Sequence, residues 1–593
     1  MSFELLLPFA SFNDYNSFDL TSWGRSSYQT FVVSNVSPES LTTQVNQEFK
    51  KQFPDSETKF SFLSLGNIHF SPGTEYDIIF RHETKAGLYL FMIVAVCILF
   101  IALINFVNLT IATSSLRLQE NVIRKIEGAN RLQLAGRFIL EAFLISAGSA
   151  LLALLFIGIL FPVFNNLLDV HLGRSLIRQP WFYLGLGVTS LLSGIIAGSY
   201  PAIKFSRFPS IAALNNKKLA KPGGRKWNNG LIVFQYTTSI ILIIATLFIN
   251  KQMDFIQTRK LGFDKEQILY LQLTDDLIKQ KDAIIDRLEQ IPGIQSASTC
   301  DFVPGQPYSQ RILTININGE DRTNQVYHTK VSDEYLKTLG LEITEGRDFR
   351  QESQADYDNF IVNESFVKEY GLLDPFGPPV DKKNIVGVVK DYNFNSLHQS
   401  VGPLMIRLTN SDQTTMMVRA SSSRLKDIKG VISSIRSQVA EIVPNAFVEI
   451  KFLDAQIQNQ YIKEIKTQKV LGYFSFFAIL ISCMGLFGLV ILTTNKRTKE
   501  IGICKVNGAK VSEVLIMLNK DFIKWVAIAF VIATPAAYFA MNKWLESFAY
   551  KTNLSWWIFA LAGLLALGIA LLTVSFQSWK AATRNPVEAL RYE

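Results

Sequence analysis

The chain has 593 residues, of which 48% are hydrophobic and only 18% charged, and its mean hydropathy is positive. With the apolar residues gathered in long blocks, this excludes an ordinary soluble protein and describes an integral membrane protein. The formal net charge is +9, but the basic residues concentrate in short connections beside apolar runs, so the positive-inside bias accounts for them and no nucleic-acid partner is expected.

Residues 1–86 are polar and mixed, with the turn Ser11-Phe12-Asn13-Asp14 and the alternating run Thr30-Phe31-Val32-Val33, and read as a small α+β piece. Met1 is followed by neither a basic segment nor an apolar run long enough for a signal peptide or a span. The first span is predicted over Leu88–Thr113, with Asn105 and Asn108 in its second half as interhelical hydrogen bonders. A basic joint follows, and then spans over Phe138–Phe164 and Trp181–Tyr200. Glu141 falls about one turn inside the cytoplasmic end of its helix, facing water. Residues 203–229 carry seven Lys and Arg and no acidic residue, so this segment and the first joint are cytoplasmic and residues 1–86 are extracytoplasmic.

A fourth span, Gly230–Asn250, returns the chain outside. Residues 251–469 read as a soluble α+β domain of two subdomains, with strands such as Ile312–Ile317 and Ile385–Val389 and helices such as Asp282–Gln290 and Ser423–Val439. Its turn signals are Val303-Pro304-Gly305 and Gly377-Pro378-Pro379, and Asp275-Asp276 reads as a solvated turn. Spans five to seven are predicted over Leu471–Thr493, Phe522–Trp544 and Trp556–Phe576, and Gly485 and Gly488 in the fifth permit close helix approach.

The fifth span leads into a second basic joint, Lys499-Glu500-Ile501-Gly502-Ile503-Cys504-Lys505-Val506-Asn507-Gly508-Ala509-Lys510. It repeats Gln119-Glu120-Asn121-Val122-Ile123-Arg124-Lys125-Ile126-Glu127-Gly128-Ala129-Asn130 at a distance of 380 positions. Gly128 to Leu214 is 86 residues and Gly508 to Leu590 is 82, and both intervals end in similar tails, Phe208–Leu214 and Asn585–Leu590. A basic segment wedged twice between membrane-length runs describes a duplicated three-span module. By the same offset the first module lacks roughly 150 residues at its start, including a span, so the numbering is expected to begin inside a longer chain of about eight spans or at an internal methionine.

The remaining chemistry-bearing residues form no constellation. The histidines at 69, 82, 171, 328 and 398 are scattered without ligand spacing, and His398 reads as local packing. The four cysteines suggest no disulfide framework, and Cys300 beside Asp301 reads as a buried small residue. Pro222-Gly223-Gly224 is a loop breaker, and no G-x-x-x-x-G-K-[ST] phosphate loop occurs, so any ATP must be hydrolysed by a separate subunit. No catalytic, cofactor-binding or metal-ligating residue is assigned.

The pattern E-[IV]-G-[IVM]-R-[KR]-x-x-G-A after a span, two further spans and a terminal Asn585-Pro586-Val587-Glu588-Ala589-Leu590-Arg591-Tyr592-Glu593 resembles the FtsX/MacB-type permeases of ATP-binding-cassette (ABC) systems. The likeness is to their tandem-repeat form with MacB-like periplasmic core domains. Val362-Asn363-Glu364-Ser365-Phe366, Pro375-Phe376-Gly377, Gly387–Phe394 with Leu397-His398, and Ala197-Gly198-Ser199-Tyr200-Pro201 resemble that form too. Copy one departs from the pattern at Asn121-Val122 and copy two at Cys504.

The resemblance implies a membrane α-helical fold with a duplicated FtsX-like module and α+β extracytoplasmic domains. Residues 1–86 would be the remainder of a first MacB-like domain, 87–215 the first module, and 216–229 a basic linker. Residues 230–250 would be a leading span, 251–469 a second MacB-like domain, and 470–593 the second module. It implies a multi-pass protein of the inner (cytoplasmic) membrane that binds no cofactor directly and uses ATP through an ABC ATPase homodimer, one joint on each copy. Membrane lipids and a periplasmic adaptor or outer-membrane component are the other partners implied. The ATPase-coupling residues carried over are Glu120, Arg124, Lys125, Gly128 and Ala129, and Glu500, Gly502, Lys505, Gly508 and Ala509. Charges would fix the register of each joint on its partner, Ile123, Ile126, Ile503 and Val506 would transmit force, and the glycines would end the helical turn. Three outputs stay open: export or extraction of a lipophilic, peptide or lipoprotein cargo; regulation of a cell-wall hydrolase or an antibiotic sensor; or a scaffold without transport.

Overall fold

A computed structural model describes residues 31–583 apart from 53, 55–58, 71–84, 117, 169–174, 207–224, 266, 318, 351–355, 358, 378–379, 381–382, 410–412, 422–427 and 445. The turn at residues 11–14, the Pro222-Gly223-Gly224 breaker, most of the basic linker and both repeated tails lie outside the described residues. Two units are recognised, Met1–Tyr89 and Leu90–Glu593. In the first, the described elements are helix α1 (Pro38–Gln52) and a 3-10 turn at Leu65–Phe70. The run Phe31-Val32-Val33 is exposed and, among the described residues, lies in no strand.

Among the described residues, seven helices are long and apolar enough to cross a membrane. They are α2 (Lys85–Leu116), α4 (Arg131–Leu168), α6 (Pro180–Ser206), α7 (Arg225–Thr258), α14 (Ile462–Lys496), α16 (Val511–Leu545) and α17 (Trp556–Ala582). Several start or end a few turns beyond the apolar runs that announce them. Lys520 and Lys524, for example, remain helical in the first turns of α16, because lysine is a good helix former and the polar turns lie in the headgroup region. The helices α3 (Leu118–Ile126), α5 (Ser175–Arg178) and α15 (Thr498–Val506) complete the membrane modules.

Within module one, α4 and α6 pack closely through glycines. A Cβ at Gly194 would lie 2.8 Å from Phe143 Cα, and one at Gly198 would lie 2.8 Å from Ile139 Cα, so the Ala197–Pro201 motif is a close-packing device. Ser146 Oγ donates to the carbonyl of Ser190 across this contact (2.8 Å). In module two, α7 is the most buried of the seven helices. Its Ile232, Tyr236, Ile240, Ile244 and Phe248 meet an alanine row on α16 (Ala529, Ala533, Ala537) and Ala562 and Ala566 of α17.

The extracytoplasmic domain contains β1 (Ile268–Gln272), α8 (Asp275–Lys279), α9 (Lys281–Glu289), β2 (Ile294–Cys300), β3 (Ser309–Ile317), β4 (Glu320–Val331), α10 (Tyr335–Leu339) and β5 (Ile343–Gly346). These are followed by β6 (Phe360–Asn363), α11 (Glu364–Tyr370), β7 (Ile385–Val389), β8 (Leu404–Leu408), β9 (Thr415–Ala420), α12 (Ile428–Ile442), β10 (Ile450–Phe452) and α13 (Leu453–Asn459). Asp275 and Asp276 are exposed as read, but in the first turn of a helix, where their charge suits the helix dipole.

The two subdomains share one sheet, in the order β10-β1-β9-β2-β4-β8-β6-β7-β5 with β3 on β4. Lobe one is the antiparallel set β10-β1-β9-β2, covered by α9 and α12 over Leu269, Leu271, Ile284, Leu288, Met416, Val418 and Ile435. Lobe two holds the parallel pairs β4/β8 and β6/β7 with α11 packed over them. The lobes meet where β2 pairs β4 at the single register position Cys300↔Val331. Cys300 is fully buried there, as read, and burial pushes its thiol well up.

In lobe two, Arg347 grips the buried Asp356 with two hydrogen bonds (2.6 and 2.8 Å), and the backbone N–H of Arg350 adds a third (2.9 Å). The Arg347 guanidinium holds the Asp356 carboxyl below its usual range. A depressed folded-state pKa contributes stability that is present above the unfolded carboxylate pKa and lost as pH falls through the folded value. Arg347→Met is therefore expected to cost about 1–2 kcal/mol at neutral pH, less than a fully buried pair because the arginine is partly exposed. The difference from the parent should shrink in thermal unfolding of the purified chain below about pH 4.

Candidate functional site

Both repeated segments fold into a short helix that ends in the same way. In the first, the N–H of Gly128 donates to the carbonyl of Lys125 (3.3 Å) and that of Ala129 to Arg124 (3.0 Å). In the second, Gly508 donates to Lys505 (3.0 Å) and Ala509 to Cys504 (3.0 Å). This is the Schellman pair of bonds, and it requires a left-handed residue, here Gly128 at φ 98° and Gly508 at φ 86°. The next helix then starts with a cap. Asn130 N–H donates to Gln133 Oε1 (2.9 Å) and Gln133 N–H to Asn130 Oδ1 (2.8 Å). Lys510 N–H donates to Glu513 Oε2 (3.2 Å) in the second copy.

The joints are fastened to their modules by different chemistry. In the first, Glu120 Oε1 accepts from Arg137 of α4 (2.9 Å) and from Arg124 one turn on (3.1 Å). Arg137, assisted by Arg124, holds the Glu120 carboxyl below the usual carboxylate range. In the second, Ile501 is buried against Val514 and Leu518 of α16 and Ala582 of α17, with Gly502 buried beside it and Ala509 packed on the cluster. Arg497 bridges loosely to Glu500 (3.9 Å) and Asp521 (3.7 Å). By the offset of 380, Asn121 stands where Ile501 does and Arg137 where Met517 does. An ion-pair clasp in copy one thus stands where copy two has an apolar plug.

Two stretches, residues 92–210 and 472–586, match the family model described as FtsX-like permease C-terminal, and each contains one of these joints. The chain thus carries two FtsX-like modules. The permease is 22% identical over 332 residues to the uncharacterized ABC transporter permease YknZ of Bacillus subtilis, covering 52% of this chain and 78% of that protein. It is 24% identical over 303 residues to YvrN of the same bacterium, described likewise, covering 45% and 70%. Among solved structures it is similar to the periplasmic region of MacB from Actinobacillus actinomycetemcomitans, at 12% identity, 34% of this chain, 97% of that chain and a TM-score of 0.24. It is also similar to the extracellular domain of YknZ, at 14% identity, 30% and 92% coverage and a TM-score of 0.21. It is a multi-pass membrane permease with two FtsX-like modules.

Each joint of the permease leaves an aliphatic pair exposed at i,i+3 spacing, Ile123 and Ile126 at 53% and 58%, Ile503 and Val506 at 53% and 64%. Lys125 and Lys505 sit half-buried at the same register. An exposed isoleucine on a polar surface contributes about 1 kcal/mol when a partner covers its remaining half. Glu141 is exposed at a groove between α2 and α4 with Thr110 and Ser114.

Sequence reading passed over two features. The first is the fastening, Arg137 and Ile501, which no periodicity separates from neighbouring basic and aliphatic residues. The second corrects the reading of His398 as local packing. Its ring is stacked 4.2 Å from Phe548, in the outer connection between α16 and α17, because the loop carrying it leaves the sheet and reaches the membrane module.

Proposed function

We propose that this ABC permease passes ATP-driven motion of a separate ATPase dimer from its two cytoplasmic joints to the extracytoplasmic domain, to export or extract a lipophilic, peptide or lipoprotein cargo. The observation that supports this best is the doubled joint: two Schellman-ended helices, each with an exposed aliphatic pair and a half-buried lysine in register. An ATPase homodimer offers two equivalent grooves, and a chain with two equivalent joints matches it. Glu120, Arg124, Lys125, Glu500 and Lys505 set the register on the partner. Gly128 and Gly508, closed by the Ala129 and Ala509 amides, redirect the chain into α4 and α16, while Gly502 is buried beside Ile501.

Continuous helices join the two ends. α14 runs without interruption from Ile462, beside the sheet domain, to Lys496 at the second joint, and α7 extends from the membrane to Thr258. A displacement at a joint is carried by such helices as a rigid tilt. The permease binds no cofactor itself in this reading, and ATP acts through the partner.

The test is affinity capture of the tagged full-length chain from its native membrane in mild detergent, with an ATPase assay on the eluate. An ABC ATPase is expected to co-purify with the parent, and Gly508→Val, which strains the left-handed position by about 1–2 kcal/mol, is expected to lower its yield or its turnover. If no ATPase is captured and Gly508→Val behaves as the parent, the scaffold reading replaces this one.

A further inference from the structure

Residues 390–402, between β7 and β8, leave lobe two, touch the membrane module and return. The excursion is closed at its neck by the N-terminus of α11. Asn363 Nδ2 donates to Asp391 Oδ1 (2.7 Å) at the outgoing end and to the carbonyl of Gly402 (2.9 Å) at the returning end. Ser365 Oγ donates to Asp391 Oδ2 (2.6 Å) and also reaches the carbonyl of Val401 (3.2 Å). Both ends therefore move with α11, and the segment is a compact Ω-type loop rather than a slack connection. Its shaft is held by rings: Phe394 lies 4.9 Å from Tyr308 and 5.6 Å from Tyr392, all three buried.

The tip is fastened to two membrane elements at once. Leu397 N–H donates to Tyr461 Oη (2.8 Å), at the start of α14. The amides of Ala549 and Tyr550, in the outer connection of α16 and α17, donate to the carbonyls of His398 and Leu397 (both 3.3 Å). The His398 imidazole has its Nδ1 2.8 Å from Ser396 Oγ and its Nε2 3.3 Å from Glu464 Oε1 of α14, while its face stacks on Phe548. A flat ring with a polar nitrogen at either end is needed to make all three contacts. From the other side, α7 clamps the same connection through Gln252, bonded to Tyr550 O (3.0 Å) and Thr552 N (2.9 Å).

We propose that the loop 390–402 is a second force path from the membrane to the extracytoplasmic domain, parallel to the helices α7 and α14, and that His398 is the positioning residue that locks its tip to the α16–α17 connection. α7 and α14 lead into lobe one, beside β1 and β10 at their outer ends. The loop joins β7 and α11 of lobe two to the connection of the last two spanning helices. The strands of the two lobes are paired at one register position, Cys300↔Val331 between β2 and β4, flanked by the bonds Asp301 N–H to Lys330 O (3.0 Å) and Ser332 N–H to Thr299 O (2.9 Å), with a buried core common to both; pulling on the loop while the helices hold lobe one therefore loads this narrow seam and changes the angle between the lobes.

This proposal rests on the mechanical reading above, and its test separates the two. The full-length permease, with its co-purified ATPase in lipid nanodiscs, carries spin labels through Leu373→Cys in lobe two and Phe447→Cys in lobe one, both highly exposed. Cys97→Ala, Cys483→Ala and Cys504→Ala remove the other accessible thiols. The label separation is measured without nucleotide and with ATP plus vanadate. A nucleotide-dependent shift is expected in the parent, lost in His398→Ala and in Phe548→Ala while ATP hydrolysis continues, and partly kept in His398→Phe, which preserves the stack. A full shift in both alanine variants would reduce the loop to passive packing and overturn the proposal alone. A parent that shows no shift would overturn the mechanical reading, and the proposal with it.

Discussion

The Ile503→Glu/Val506→Glu variant is expected to lose most of its ATPase partner without unfolding. The two side chains lie on the outer side of α15, more than half exposed, whereas the residue that anchors the helix to its module is Ile501, buried on the opposite side. Replacing exposed aliphatic residues by glutamate therefore leaves the joint in place and changes only what a partner meets. A partner that covers this patch would have to desolvate two carboxylates without pairing them, at roughly 3 kcal/mol, or about a hundredfold in affinity. The corresponding change in copy one, Ile123→Glu with Ile126→Glu, should act in the same way. Since both joints engage one dimer, either pair alone weakens capture and the four changes together abolish it. Quantitative pull-down from detergent extracts, with thermal unfolding as the control for folding, gives the answer. Undiminished capture by the fourfold variant would show that the joints are membrane anchors with a helix stop and nothing more.

A second large effect is expected deep in the membrane, where α2 crosses α14. Asn105 Nδ2 donates to the carbonyl of Ile481 (3.1 Å), and a Cβ at Gly485 would collide with the Asn105 side chain, one at Gly488 with that of Leu109. Advancing Asn105 by the repeat offset of 380 gives Gly485 itself. The crossing thus brings a residue of one module against its own counterpart in the other, the arrangement found on a two-fold axis. Gly485→Leu fills the space that the Asn105 side chain occupies. It is expected to destabilise the membrane unit by about 1–3 kcal/mol through overpacking, partly offset by up to about 1 kcal/mol of gained helix propensity. Gly472→Leu is the matched control, since nothing lies within 4 Å of a Cβ there; it should stay level or rise. Thermal unfolding of the two variants in the same detergent tests the pair, and equal midpoints would remove the crossing as a packing constraint.

Much of this architecture is legible in the chain because its signals are local. Apolar runs long enough to span hydrocarbon must become helices, since lipid offers their amides no other partner. Basic connections fix sidedness, and a duplicated Gly-Ala marks a helix stop, because only glycine enters the left-handed backbone at no cost. The positions of Gly128 and Gly508, the seven spans and strands such as Ile385–Val389 follow from these rules. Helix ends follow less well. The helix predicted over Ser423–Val439, whose first residues lie outside the described ones, runs on to Ile442, and α7 and α14 run past their apolar runs into the sheet domain, because polar turns remain helical wherever packing supports them.

The sequence by itself determined a membrane protein with a repeated module, basic joints on one side and a sheet domain on the other, because hydropathy, charge bias and turn chemistry each act within a few residues. The tertiary structure alone decided how the joints are held and where the domain is tied down. Glu120 finds Arg137 across a turn, Ile501 finds Ala582 some eighty positions on, and Asn105 finds Gly485 across the pseudo-two-fold. His398 meets Phe548 only because Asn363, Ser365 and Asp391 close the neck of its loop. Contacts between distant residues depend on how the elements pack, and neither periodicity nor composition carries that information.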